Sequence, residues 1–171
     1  MAIKILSKNS YLKIGVENLY STSKYIEDIC VIDLSSYNSL TLIQEFFIGD
    51  DIDFKWKVIL LTGKNVCSKL FSTVQAYSLN LSVKELVVAM RAGIPPDIVA
   101  EHIINIRNLE SLTNSQRSLV KTLLESEKIN EAAEKLCVSN KIIYHNMEKI
   151  ASTLGLRSGK ELMAFLLLER Q

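Results

Sequence analysis

The stretch from Ser139 to Gly155, SNKIIYHNMEKIASTLG, decides how the rest of this chain is read, because at helical spacing it has one apolar and one polar face. Ile143, Met147, Ile150, Ala151 and Leu154 recur at i, i+4, i+7, i+8 and i+11, the pattern of a single buried stripe. The opposite face carries Lys141, His145, Glu148, Lys149 and Ser152. Side chains that donate hydrogen bonds, stack and carry charge on one surface suit a helix lying in a DNA major groove. An ordinary solvated helix has the same two faces, so the neighbouring segments must decide.

Those neighbours are helical from Leu112 onward. Thr113 and Gln116 have the form of a capping box, opening a helix with Leu119, Val120, Leu123 and Leu124 along one side. The short segment NEAAEKL offers Ala132, Ala133 and Leu136 to a core, and its small alanines allow close helix crossing. Cys137, Val138 and Ser139 then form a tight turn, with Ser139 as N-cap of the two-faced helix. Ser158 and Glu161 are placed as a further capping box before GKELMAFLLLERQ, a helix apolar on nearly every side. Such a helix needs covering both by its own domain and by a partner, so Leu162, Phe165 and Leu166 are expected at a dimer contact.

The first half alternates strand and helix signals. AIKIL, ICVIDL and KVILLTG are short apolar runs of the kind that form central strands of a covered parallel sheet. Between them YLKIGVENLY and LTLIQEFF have helical spacing, and GDDID reads as an acidic turn. VCSKLFSTVQA is helical, YSLNLS is a weaker strand, and VKELVVAMRAG is a helix ending at Gly93. The alternation predicts an open α/β parallel sheet of about five strands. Residues 21–28 are short for a strand plus helix and predict a trimmed unit. Pro95 and Pro96, the only prolines, end the preceding helix and start another. The domains are accordingly read as 1–93, a linker helix over 94–111, and an all-α domain of four helices over 112–171.

Composition bounds the function. A chain of 171 residues with nearly half its residues apolar can bury two small cores. A net charge of +1 argues against a protein that coats nucleic acid non-specifically, so any DNA-binding charge must be local. Cys30, Cys67 and Cys137 are scattered, lack metal-ligand spacing and predict buried thiols in a reducing compartment. With no long apolar run and no cleavage signal, a soluble, cytoplasmic protein without a membrane partner is expected. No nucleophile–base pair, metal cluster or phosphate-binding glycine loop is present in the sequence, which points away from an enzyme, a metal or a cofactor.

The last sixty residues resemble the LuxR-type (GerE-type) helix-turn-helix of bacterial transcription regulators without a gap. The resemblance rests on Leu112 and Thr113, Ala133 and Leu136, Val138 and Ser139, Ile143 and Ile150, Leu154 to Leu156, and Glu161 with Leu162. Departures fall on the surface. Ser115 and Gln116 replace an Arg-Glu pair, and Ile142 to Asn146 replace Thr-Val-Lys-x-His. Glu148 stands where relatives often have Lys, and Gly159 where they have Arg. Between Asn140 and Lys160, Lys141, Lys149, Arg157 and Lys160 still stand against Glu148 alone, a local net charge of +3. The resemblance implies a DNA-binding regulator with its recognition helix over 139–154. Tyr144, His145 and Glu148 would face bases, and Asn140, Lys141, Lys149 and Ser152 would face phosphates. The missing cations predict weak or partner-assisted binding to double-stranded DNA. They also keep open a co-regulator or anti-activator that pairs with a related regulator and reads little DNA.

The first half is more faintly similar to the receiver domain of response regulators. Asp33, at the end of what would be that domain's third strand, fits the phosphoacceptor position, and Thr62 fits the hydroxyl position. The acidic pair that holds Mg²⁺ is replaced by Ser7, Lys8 and Asn9, where Lys8 would pair with Asp33 instead. The resemblance therefore implies a pseudo-receiver that does not transfer phosphate and serves homodimer or heterodimer formation or partner docking.

Overall fold

The computed structural model describes residues 2–22, 27–48 and 55–169, which divide into two compact units, Met1–Ile103 and Ile104–Gln171. The acidic turn at 49–53 and part of the trimmed segment at 21–28 lie outside the described residues.

In the first unit the elements run β1 (Ile3–Leu6), α1 (Ser10–Thr22), β2 (Ile29–Asp33), a 3₁₀ turn (Leu34–Ser36), α2 (Leu40–Ile48) and β3 (Lys57–Thr62). They continue with α3 (Val66–Leu70), β4 (Tyr77–Ser78), α4 (Val83–Arg91) and α5 (Pro96–Arg107), which runs on past Ile103. The described strands form one parallel sheet in the order β1-β2-β3-β4, with Val31 between Ile5 and Ile59 in register. The expected α/β class is therefore present, with four described strands rather than about five. A doubly wound sheet of order 2-1-3-4-5 that lacks its outermost strand has this order. Among the described strands Asp33 ends the second.

Strand β2 is buried along its whole length, as a central parallel strand covered on both faces must be. Ile29, Val31, Ile59 and Leu61 pack on one side against Val16 of α1 and Ala89 and Met90 of α4. The alternate residues Cys30, Ile32, Val58 and Leu60 face the opposite side, where Leu40, Ile43, Cys67, Leu70 and Phe71 are buried. Gly93 is required where the chain comes back to β3. A Cβ there would lie 2.8 Å from that of Lys57, while Ile94 exchanges backbone hydrogen bonds of 2.8 and 2.9 Å with Val58.

The second unit contains α6 (Asn114–Leu124), α7 (Ile129–Lys135), α8 (Asn140–Thr153) and α9 (Gly159–Glu169). Its core gathers Leu119, Val120, Leu123, Ala132, Ala133, Ile143, Met147, Ile150, Ala151, Leu162, Phe165 and Leu166. The Thr113–Gln116 capping box forms in full. Ser158 Oγ accepts from the Glu161 N–H, but the Glu161 carboxylate reaches back to Arg157 N at 2.9 Å, one residue beyond a regular box. Among the described residues no helix is long and apolar enough to cross a membrane, and no group of His, Cys, Asp or Glu is placed to hold a metal.

Candidate nucleic-acid interface

The turn between α7 and α8 is made by backbone geometry. Cys137 takes a positive φ of 53°, and Val138 N donates to Ala133 O at 3.0 Å, which closes the end of α7. Cys137 is consequently exposed, unlike the buried Cys30 and Cys67, because the turn points its side chain outward. Burial pushes the Cys30 thiol up to about 12, against the opposing charge of Lys4, which suits an inert core thiol. At the far end of α8, Gly155 takes φ 74° and Leu156 N bonds Ala151 O at 2.8 Å, so α8 is closed by the same device.

The apolar stripe lies where its spacing predicts. Ile143, Met147, Ile150, Ala151 and Leu154 are all buried. Asn140, Lys141, Tyr144, His145, Glu148, Lys149 and Ser152 are all exposed, so the proposed interface residues share one helix and open to solvent. Ser139 stands at the N-cap with an extended backbone, yet its hydroxyl makes no capping bond. The first N–H groups of α8 are thus left to solvent or to a phosphate oxygen. Lys141 and Lys149 form no ion pair among the described residues, whereas Lys135 is tied to Glu131 at 2.7 Å.

Two members of the predicted set have other partners. Asn140 Nδ2 donates to Asn130 Oδ1 at 2.7 Å, tying the start of α8 to α7. Glu148 Oε1 accepts from Gly159 N at 3.0 Å, at the start of α9. Neither link has a sequence signature, because the partners lie 10 and 11 residues away on other helices. Ile142 was not singled out by spacing, but it stands 47% exposed, and Tyr144, on another side of the helix, is 54% exposed.

The expected dimerisation residues Leu162, Phe165 and Leu166 turn inward and are buried in the helical core. A core of this size needs them, so the outward face of α9 falls instead to Ala164 and to Leu167, which is 53% exposed.

In the α/β unit, Asp33 is buried and both carboxylate oxygens are occupied. Oδ2 accepts from Ser7 Oγ at 2.7 Å and Ser36 Oγ at 2.6 Å. Oδ1 accepts from Ser35 N at 3.0 Å and Ser35 Oγ at 2.6 Å. Burial by itself would raise this carboxyl, but the bonds from Ser35, Ser36 and Ser7 outweigh it and hold it below the usual range. Lys8, the expected partner, is exposed and contributes only its backbone N–H, to Ser36 Oγ at 2.8 Å. Thr62 Oγ1 donates to Tyr77 O at 3.1 Å. Asn65 Nδ2 bridges Leu34 O and Tyr37 O at 2.9 and 2.8 Å, so the loops after β2 and β3 are laced together.

No protein-family profile and no curated protein matches the sequence. Solved structures do match. A complex of the two-component response regulator RcsB with DNA is 15% identical, covering 98% of each chain, with a TM-score of 0.61. RcsB from Salmonella enterica serovar Typhimurium bound to promoter rprA with the phosphomimetic BeF3⁻ is 15% identical over 97% of this chain and 98% of that one, with a TM-score of 0.63. The same protein on promoter P1flhDC is 16% identical over 100% of this chain and 99% of that one, with a TM-score of 0.61. Sequence identity this low reports architecture: the chain has the fold of the response regulator RcsB, a receiver-like α/β unit followed by a helix-turn-helix unit.

Proposed function

We propose that this chain is a DNA-binding transcription regulator whose helix α8 enters the major groove, and whose α/β unit acts through dimerisation or partner binding without a phosphoryl switch. The observation that carries the proposal is the single exposed face of α8, with Lys141, Tyr144, His145, Lys149 and Ser152 above a wholly buried stripe. Lys141 and Lys149 anchor phosphates, the uncapped start of α8 adds backbone donors, and Tyr144 and His145 approach base edges. That the RcsB structures of this fold were solved on promoter DNA supports the assignment. The occupied carboxylate of Asp33 supports the absence of phosphoryl transfer, because an acceptor needs an unencumbered oxygen beside a metal.

Affinity for target DNA across a salt series tests the interface. Lys141→Ala should reduce the slope of log K against log salt by about 0.9, and His145→Ala should cost roughly 1–3 kcal/mol and relax one base position. If neither variant changes binding, this face does not read DNA. Incubation with acetyl phosphate and Mg²⁺ should leave the intact mass unchanged, and an added phosphoryl group would overturn the pseudo-receiver part of the reading.

The exposed apolar residues Ile142 and Tyr144, on different sides of α8, favour a second reading, a co-regulator or anti-activator that pairs with a related regulator. A gel shift seen only when cell extract accompanies the purified protein would select it.

A further inference from the structure

We infer that Glu148 is a positioning residue that pins the start of α9 to the recognition helix, and that it takes no part in reading bases; its DNA arm rests on the function proposed above. Glu148 projects from α8, and its Oε1 accepts from the backbone N–H of Gly159, the first residue of α9, at 3.0 Å. That N–H is one of the donors a helix start leaves without an intrahelical partner. A carboxylate there gains both a charge-assisted hydrogen bond and the positive end of the helix dipole. Glu161 Oε2 takes Arg157 N at 2.9 Å, so acidic side chains of this chain hold the backbone N–H on both sides of Ser158.

Gly159 is the other half of the arrangement. A Cβ at this buried position would lie 3.1 Å from Met147 Cβ and 3.3 Å from Glu148 Oε1. A larger residue would make Met147 or the Glu148 carboxylate give way by a few tenths of an ångström, which strains the bond. Glu148 and Gly159 therefore fit one another: the residue without a side chain leaves the room that the carboxylate occupies. One oxygen of the exposed Glu148 carboxylate is thus engaged by the start of α9, and reading is left to Tyr144 and His145 with Lys141 and Lys149 on phosphates.

The test uses the full chain and its Glu148→Ala, Glu148→Gln and Gly159→Ala variants. Two quantities are read: exchange of the backbone amide at position 159 by NMR, and the DNA sequence each protein selects from a random pool. Loss of the bond in Glu148→Ala should speed that amide's exchange by about tenfold and weaken binding to the selected DNA. Glu148→Gln keeps a carbonyl acceptor and should restore both, Gly159→Ala should resemble Glu148→Ala, and the selected sequence should be the same throughout. An amide unmoved in Glu148→Ala overturns the inference, as does a selected sequence that changes at one base in Glu148→Gln while the amide stays protected. If wild type selects no sequence, the DNA reading falls, and the exchange measurement alone decides the role of Glu148.

Discussion

A carboxylate taken into a protein interior must find donors for both its oxygens, and Asp33 finds the serine hydroxyls of Ser7, Ser35 and Ser36. Removing it in Asp33→Ala should destabilise the α/β unit by about 1–3 kcal/mol in urea unfolding, since three hydroxyls lose their acceptor together. The contribution depends on pH in a fixed direction. The folded carboxyl is lowered, so its stabilisation is complete above the unfolded value of roughly 3.9 and disappears as pH falls through the folded value. The stability gap between wild type and Asp33→Asn should thus be wide at neutral pH and close below about pH 4. A gap that stays constant with pH would mean the serines do not hold the ionised form. Only the acid at the end of an apolar run was legible in the sequence. Ser7 lies 26 residues before Asp33, and no local pattern joins the two.

At the scale of elements, helix ends carry much of the specification. Thr113→Ala removes one arm of the α6 capping box and should lower stability by about 1 kcal/mol. Gly155 holds φ 74° at the end of α8, so Gly155→Ala should cost roughly 1–2 kcal/mol in urea unfolding. Ile150 is fully buried at the centre of the stripe, and Ile150→Ala should cost about 2–5 kcal/mol. The stripe, the Thr113 cap and the ends of α8 were readable because periodicity and turn chemistry are local. The bare hydroxyl of Ser139 was not, since whether an N-cap closes depends on a rotamer that neighbours choose. Burial on α9 was misread for the same kind of reason: a helix apolar all round does not say which residues turn inward.

For the whole molecule, each compact unit has its own apolar core, and that has a measurable consequence. Calorimetry should resolve Asp33→Ala as a shift in one transition and Ile150→Ala as a shift in another. Coincident shifts in a single transition would show that the units melt together. Leu167 is exposed on α9 whereas Leu162 is buried, so Leu167→Glu should leave the circular dichroism of the chain native. Leu162→Glu, which buries a charge without a partner, should unfold the helical unit instead.

By itself the sequence determined the alternation of strand and helix, the helical second half, the buried stripe of α8 and the polar face opposite it. These follow from periods of two and 3.6 residues and from turn residues that act on their own neighbours. Tertiary structure alone decided the order of the described strands, the serine cage around Asp33, the inward turn of Leu162, Phe165 and Leu166, and the bond from Glu148 to the start of α9. Each of these joins groups from separate elements, and hydrogen bonds and burial are settled by distance in space and not by position along the chain.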